Sequence, residues 1–129
     1  MGIASENLQP EWRDITLGFI REARIKHHLK WFLAEDAKGA VSVAGGHLHS
    51  PYPNVFKEKF RRNGLIWGVY TRPEHRKKGL AKKLTLTVID YLQEIGCTRV
   101  RLHASPMGRP VYESLGFVST SEMERLIVK

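Results

Sequence analysis

The sequence is poor in the features that mark secreted and membrane proteins. It has one cysteine, Cys97, among its 129 residues, so no disulfide can form within the chain, as is typical of reducing compartments. No apolar run approaches the roughly 18–20 residues that span a bilayer, and no charged start followed by an apolar stretch opens the chain. We therefore expect a cytoplasmic protein without a membrane partner.

Acidic residues are also scarce, because 13 Asp and Glu stand against 21 Lys and Arg, for a formal net charge of +8. This excess predicts an anionic partner, but nucleic acid, a membrane surface and a phosphorylated small molecule all respond to the same field. The densest basic cluster, at residues 76–83, surrounds Gly79. A solvated helix face is the ordinary explanation of such a run, so its neighbours must decide.

The length and composition favour one globular domain over residues 1–129. Domains most often have roughly 100–150 residues. With 42% hydrophobic and 26% charged residues, the chain has the composition of a soluble globular protein rather than of a disordered or fibrous one. We find no internal repeat and no linker.

The first half of the chain is typical of a helix followed by strands. Residues 10–29 carry Trp12, Ile15 and Phe19 among charged residues, which predicts an amphipathic helix. Short apolar runs at 31–35 and 40–48, joined by a turn, predict a β-hairpin. Residues 50–63 contain prolines and many charges, and they predict the longest loop.

The second half alternates strands and helices. Residues 65–71 are rich in β-formers and apolar on both faces, as expected of a central strand covered by helices on each side. Helical spacing over 80–95, with Gly96 at the C-cap position, predicts the longest helix. Alternation over 100–104 predicts a strand, 110–115 a short helix, and 117–118 and 126–128 candidate final strands.

The run Arg76-Lys77-Lys78-Gly79-Leu80-Ala81 lies between a predicted buried strand and the start of a predicted helix. Backbone N–H groups at a helix start point outward and the helix dipole adds positive potential, so this position favours phosphate. Gly79 and the small Ala81 permit close approach of a pyrophosphate. The run is neither a P-loop nor a GxGxxG fingerprint.

This run, with Val69-Tyr70-Thr71 and Pro73 before it, resembles the pyrophosphate-binding segment of GNAT N-acetyltransferases. Downstream, Tyr112-Glu113-Ser114-Leu115-Gly116-Phe117 is similar to the Tyr-x-x-x-Gly-Phe segment of that family. The resemblance covers about residues 31–118, and residues 105–112 resemble a group of bacterial members. It implies an acyltransferase that moves an acetyl group from acetyl-CoA, as co-substrate, to a primary amine of a small molecule, peptide or protein.

The resemblance also implies roles for individual residues. The backbone of Val69, Tyr70 and Thr71 would meet the pantetheine arm and the acetyl carbonyl, and Ser105 stands where the family often has an Asn that contacts that arm. Tyr112 matches the residue cast as general acid toward the leaving thiolate. The pyrophosphate would be held by the loop and the helix start, with Arg76 as its support: Arg76, Lys77, Lys78, Gly79, Leu80, Ala81 and Lys82.

The general base stays open. No carboxylate lies on the strand at 65–71, where several family members have a Glu, and His47, His49, Glu58 and a water chain are all candidates. His47 and His49 alternate on a strand and, with His27 and His28, suggest a metal site, but no third ligand has supporting spacing, so we expect no metal. Cys97 has no neighbouring motif of a nucleophile, and we expect a half-buried or exposed thiol.

The expected architecture is a three-layer α/β fold: a twisted, mixed, mostly antiparallel sheet with helices on both faces and a V-shaped opening near Val69 and Val100. The family usually begins with a strand and two helices, whereas only a helical stretch precedes Trp31 here. We expect the first strand to be missing and the exposed sheet edge to favour a homodimer. Two other classes remain: a GNAT-like domain that binds acetyl-CoA without catalysis, and a basic nucleic-acid-binding module, although we expect no specific nucleic-acid partner.

Overall fold

The computed structural model describes residues 8–49 and 62–127. In chain order, these residues form helix α1 (Trp12–Lys26), strands β1 (Lys30–Asp36), β2 (Gly39–Leu48) and β3 (Asn63–Thr71), a 3-10 turn (Pro73–His75), helix α2 (Leu80–Glu94), strand β4 (Arg99–Arg101) and helix α3 (Arg109–Ser114). The strands make one sheet in the order β1-β2-β3-β4. The first three pair antiparallel and β4 is parallel to β3, which confirms the predicted mixed, mostly antiparallel sheet.

The two faces of the sheet are covered by different helices, as the sequence predicts. On one face, Val88 and Leu92 of α2 join Ala44 and Ile66 in the buried core. On the other, the indole of Trp67 makes edge contacts with Trp31 and with Phe19 of α1. Side chains alternate along a strand, so β3 contributes to both layers.

Helix α2 lies close to the sheet because two of the strand residues beneath it are glycines. A Cβ on Gly46 would lie 2.4 Å from Cγ1 of Val88, and one on Gly64 would lie 2.7 Å from Cδ1 of Leu92. Interiors are packed too densely to absorb such overlaps without movement. The glycines therefore set the distance between α2 and strands β2 and β3.

Some sequence predictions are wrong at the C-terminal side. The strand expected over 100–104 ends at Arg101, because β3 and β4 pair only as far as Leu65 and Arg101. The strands expected at 117–118 and 126–128 do not form within the described residues up to 127. Val118 and Ile127 are more than four-fifths exposed, and β-formers without a partner strand gain no ladder hydrogen bonds.

Two further expectations concern single positions. The opening is expected near Val69 and Val100, and the last β3–β4 pair, Leu65 with Arg101, lies one residue beyond Val100. Cys97 was expected to be half-buried or exposed, but it is buried beside Leu92 in the core. Its burial raises the pKa of the thiol. Most of the loop expected at 50–63 lies outside the described residues.

The close contact of α2 with β2 generates the first prediction. Gly46→Ala is expected to lower the free energy of unfolding by about 1–3 kcal/mol, because the added methyl overlaps Val88. The measurement is urea unfolding of the purified wild type and of the variant, with the midpoint and slope of each transition fitted.

The matched control is Gly18→Ala in α1, where an added Cβ meets no heavy atom within 4 Å among residues 8–49 and 62–127. It is expected to raise stability by about 0.5–1 kcal/mol through helix propensity. Equal effects of the two substitutions would contradict the packing argument.

Candidate functional site

Strand β3 bends just before its C-terminal end. Val43 pairs with Tyr70 and Gly45 with Trp67, so Gly68 and Val69 together face Ala44. This is a β-bulge, and Gly68 has φ +66, a conformation that glycine adopts without a steric penalty. The bulge turns the backbone of residues 69–71 relative to the regular part of the strand.

Strands β3 and β4 part beside this bulge. Their last pair is Leu65 with Arg101, while β3 continues to Thr71. The ladder between β3 and β4 therefore stops well short of the end of β3. Residues 69–71, beside which the V-shaped opening is predicted, lie beyond the last pair.

The end of β3 is held by hydrogen bonds from buried and basic side chains. The hydroxyl of Ser42, which is 2% exposed, donates to the carbonyl of Tyr70 at 3.1 Å and lies 2.8 Å from Oγ1 of Thr71. Nε of Arg76 donates to the carbonyl of Thr71 at 3.0 Å, and its guanidinium lies 5.7 Å from the Tyr70 ring centroid. Arg76 thus folds back onto the strand. Ser42 is not among the residues predicted from the sequence, where the one sign of its role is that it is a polar residue in an otherwise apolar strand.

The basic loop has two residues in the left-handed region. Lys77 has φ +62 and Gly79, the N-cap of α2, has φ +78. The N–H of Lys83 donates to the carbonyl of Gly79 at 3.0 Å, so the N–H groups of Leu80 and Ala81 lie ahead of the first such bond. The loop and the first helical turn therefore present backbone donors together with the exposed side chains of Lys77, Lys78 and Lys82.

The space in front of this loop is open. A Cβ placed on Gly79 would meet no heavy atom of the described residues within 4 Å, so glycine is required there by backbone conformation. The N–H groups of the first helical turn, the positive end of the α2 dipole and exposed Lys side chains thus belong to one short segment at this open position. This combination binds phosphate groups in many proteins.

Ser105 and Tyr112 form a second group around α3. The hydroxyl oxygen of Ser105 accepts the N–H of Gly108 at 3.1 Å, which leaves its own proton free to donate. The half-buried ring of Tyr112 makes an edge contact with Phe117 at 5.9 Å, and burial raises the pKa of its phenol. Tyr112 therefore retains its proton at neutral pH.

The sequence-predicted residues thus fall into two groups. Bonds and ring contacts join residues 69–71 directly to Arg76 and the loop that follows. Ser105 and Tyr112 are joined to each other through Gly108, whose added Cβ would lie 3.0 Å from Cε2 of Tyr112 and 3.2 Å from the Ser105 hydroxyl. Phe117, which contacts Tyr112, and Val69 both pack against the buried core.

A pocket of about 510 Å³ opens on the α1 face of the sheet. It is lined by residues of α1, β2 and β3 and of the segments that follow α1 and β2: Phe19, His27, His47, Leu48, His49, Leu65 and Trp67. The carbonyl of His27 accepts the N–H of Leu48 at 2.8 Å, which fixes the end of α1 beside the end of β2. Leu65 also belongs to the last β3–β4 pair, so the pocket adjoins the point where the strands part.

His47 is the buried polar residue of this pocket. Only 5% of its surface is exposed, and its Nδ1 accepts the indole N–H of Trp67 at 3.0 Å. Its pKa is lowered to about 4, first by burial and then by the charges of His49 and His27. At neutral pH it is an uncharged imidazole with its proton on Nε2.

This arrangement bears on the open question of the general base. The unprotonated nitrogen of His47 is already the acceptor for Trp67, so His47 cannot take a proton at that atom without losing this bond. His49 is exposed beside the pocket, and Glu58 lies outside the described residues. Within residues 8–49 and 62–127, no group of three or more His, Cys, Asp or Glu side chains is arranged to hold a metal ion.

The comparisons with known proteins agree with this geometry. The family model described as the acetyltransferase (GNAT) family matches residues 2–117. The chain therefore belongs to the GNAT acetyltransferase family. No protein of curated function matches the sequence significantly.

In the part of the chain that the structure describes, no helix has the length and apolarity needed to cross a bilayer.

Several solved structures share the fold. A predicted acetyltransferase from Clostridium acetobutylicum, solved with acetyl-CoA, is 27% identical with a TM-score of 0.81, covering 97% of this chain and 79% of that chain. A GCN5-related N-acetyltransferase from Ralstonia eutropha is 22% identical with a TM-score of 0.79, covering 98% and 82%. Glucosamine-6-phosphate N-acetyltransferase from Arabidopsis thaliana is 20% identical with a TM-score of 0.69, covering 97% and 83%.

The burial of His47 predicts a loss of stability in mild acid. The unfolded chain takes up a proton at this residue near the ordinary histidine pKa of 6.5, whereas the folded protein resists it until about pH 4. The stability from the neutral imidazole is therefore present above pH 6.5 and is lost as pH falls toward 4, by about 3 kcal/mol in total. Urea unfolding at intervals from pH 7 to pH 4 measures this loss.

The test variant is His47→Asn, which retains a hydrogen-bond acceptor for Trp67 and removes the titrating group. Its free energy of unfolding is expected to fall less than that of the wild type over the same pH range. His103→Asn, at an exposed histidine that does not line the pocket, is the control and is expected to behave as the wild type. If His47→Asn retains the full wild-type decline, His47 is not its source.

Proposed function

We propose that this protein is an N-acetyltransferase that moves the acetyl group of acetyl-CoA to a primary amine of a small molecule or peptide. The observation that carries the proposal is the junction of the β3 end with the start of α2. There, a strand that has parted from its parallel neighbour leads into a left-handed basic loop with free N–H groups. The Clostridium relative was solved with acetyl-CoA, which supports the same ligand here.

In this proposal the loop and the first turn of α2 bind the pyrophosphate of acetyl-CoA. The N–H groups of Lys77, Lys78, Gly79, Leu80, Ala81 and Lys82 donate to its oxygens, and the lysine side chains add attraction. Arg76 does not need to touch the ligand, because its bond to the Thr71 carbonyl fixes the angle at which the loop leaves β3. The Ser42 hydroxyl supports the same strand end from the β2 side.

The pantetheine arm and the thioester then lie in the gap between β3 and β4. Backbone groups of Val69, Tyr70 and Thr71 bind the arm and polarise the thioester carbonyl, as an oxyanion hole does, while the Ser105 hydroxyl donates from the opposite side. An uncharged amine attacks the carbonyl carbon, the C–S bond breaks, and the thiolate takes a proton from the Tyr112 hydroxyl. The raised pKa of that phenol keeps the proton available at neutral pH.

The first test is binding of CoA. CoA and acetyl-CoA are expected to raise the melting temperature, because a ligand that binds only the native state stabilises it by mass action. Gly79→Glu is expected to abolish the shift, since it places a carboxylate in the open phosphate position. Thermal unfolding with and without millimolar CoA measures both effects.

Gly116→Glu is the matched control. Gly116 also has a left-handed φ, +91, and an added Cβ there meets no atom of the described part of the chain within 4 Å. The substitution therefore carries a similar backbone penalty away from the basic loop. Its melting temperature is expected to fall while the shift with CoA remains. A folded wild type that shows no shift at millimolar CoA would exclude the proposed function.

The second test concerns Tyr112. Tyr112→Phe keeps the half-buried ring and removes the proton donor, so kcat is expected to fall by about a hundredfold to ten-thousandfold while the affinity for CoA stays the same. Turnover is followed as thiol release from acetyl-CoA with an accepted amine, and affinity by the thermal shift. Unchanged turnover with lowered stability would show that Tyr112 only packs against Phe117.

A further inference from the structure

One wall of the pocket on the α1 face is the indole of Trp67, and the packing of Trp31 holds this indole in place. The indole of Trp31 lies 4.9 Å from that of Trp67, centroid to centroid, and it lies flat on the backbone of Gly45 and Gly68. A Cβ on either glycine would come within 2.7 Å of the Trp31 ring. Trp31 therefore supports Trp67 from behind, so that Trp67 presents an ordered aromatic surface to the pocket.

A second aromatic side chain completes this surface. The Phe19 ring of α1 meets Trp67 edge-on, at a centroid distance of 5.5 Å and an interplanar angle of 75°. Phe19 is 48% exposed, so much of its ring is free to contact a ligand in the pocket. Aromatic rings prefer such edge-to-face and offset arrangements, and a ligand ring extends the same pattern.

Three imidazoles form the polar part of the pocket, next to the aromatic side chains, and the His47 ring lies 6.1 Å from both the Phe19 and the Trp67 rings. The ring of His47 lies 6.4 Å from that of His27 and 6.0 Å from that of His49. Nδ1 of His47 already accepts the indole N–H of Trp67. The polar group of His47 that remains for a ligand is therefore its Nε2–H donor. None of the described residues that line the pocket is a carboxylate, so the lining offers no charge partner for a ligand with several cationic groups.

The pocket also lies next to the expected reaction centre. Leu65 and Trp67 line it from β3, and the strands part directly after Leu65 and Arg101. A volume of about 510 Å³ accommodates a small amine with a ring, since small-molecule sites have volumes of about 300–1,000 Å³.

We infer that the acceptor of this enzyme is a monoamine with an aromatic ring, which packs on Phe19 and Trp67 while its amino group points toward the gap between β3 and β4. The inference rests on the proposed function and adds the substrate class. The amine nitrogen forms the new C–N bond, loses its proton to solvent, and the C–S bond of acetyl-CoA breaks with protonation of the thiolate. A polycation such as a polyamine or an aminosugar antibiotic is the competing class.

The experiment compares three acceptors with the full-length protein and acetyl-CoA: 2-phenylethylamine, n-butylamine and spermidine. Thiol release is measured for each, with release in the absence of acceptor subtracted. The kcat/KM for 2-phenylethylamine is expected to exceed that for n-butylamine by roughly 10- to 100-fold, because the ring buries apolar area that butylamine lacks. Spermidine is expected to react no better than n-butylamine.

Phe19→Ala tests the pocket wall. It is expected to lower kcat/KM for 2-phenylethylamine by roughly 5- to 30-fold, with the loss mainly in KM, and to change that for n-butylamine by less than about 2-fold. Leu17→Ala is the matched control, because Leu17 is equally exposed on α1, at 49%, and does not line the pocket. It is expected to leave both values unchanged.

The failure of this inference differs from the failure of the proposed function. If CoA stabilises the protein but 2-phenylethylamine is not acetylated, is matched by n-butylamine, or is surpassed by spermidine, the aromatic class is wrong and the acetyltransferase assignment stands. Equal losses for both monoamines in Phe19→Ala would also overturn it. If CoA itself does not stabilise the folded protein, the proposed function fails first.

Discussion

The structure depends on the close approach of large side chains to the backbone of the two central strands. On one face, α2 rests on Gly46 and Gly64 through Val88 and Leu92, and on the other face Trp31 rests on Gly45 and Gly68. Because each glycine lacks a side chain, helix α2 on one face and the Trp31 ring on the other lie nearer to the strand backbone than any other residue would permit. The packing on both faces at the centre of the sheet therefore depends on four positions.

This packing determines where the chemical groups lie. Helix α2 packs on β2 and β3 through its buried face, and this packing places its N-terminus near the C-terminal end of β3. The loop between them must turn in few residues, and it does so with Lys77 and Gly79 in left-handed conformations. The backbone strain at Lys77 is retained beside the free N–H groups of the helix start, as is common at ligand-binding positions.

On the opposite face, the close approach of Trp31 to glycine backbone orders an aromatic wall. Trp31 on Gly68 holds Trp67, Trp67 fixes the imidazole of His47 through one hydrogen bond, and the three side chains form an ordered wall. The bulge at Gly68 serves both faces, because it turns the strand toward the gap that adjoins β4 and also leaves room for Trp31. The loop proposed to bind acetyl-CoA and the pocket proposed for the acceptor thus both adjoin one short stretch of β3.

Local patterns in the sequence determined most of the elements and the place of the basic loop. The periodicity of residues 80–95, the hairpin over β1 and β2 and the run from Arg76 to Ala81 carry their information in neighbouring residues, so helix α2, the hairpin and the basic loop at the helix start were predictable. The tertiary structure alone decided the rest, because it depends on residues far apart in the chain. The pairing of His47 with Trp67, the support of Thr71 by Ser42, the burial of Cys97 and the early end of β4 at Arg101 arise from which strands become neighbours and where two of them part. No local pattern records such contacts, since each is a distance between segments that the chain brings together only when its core is packed.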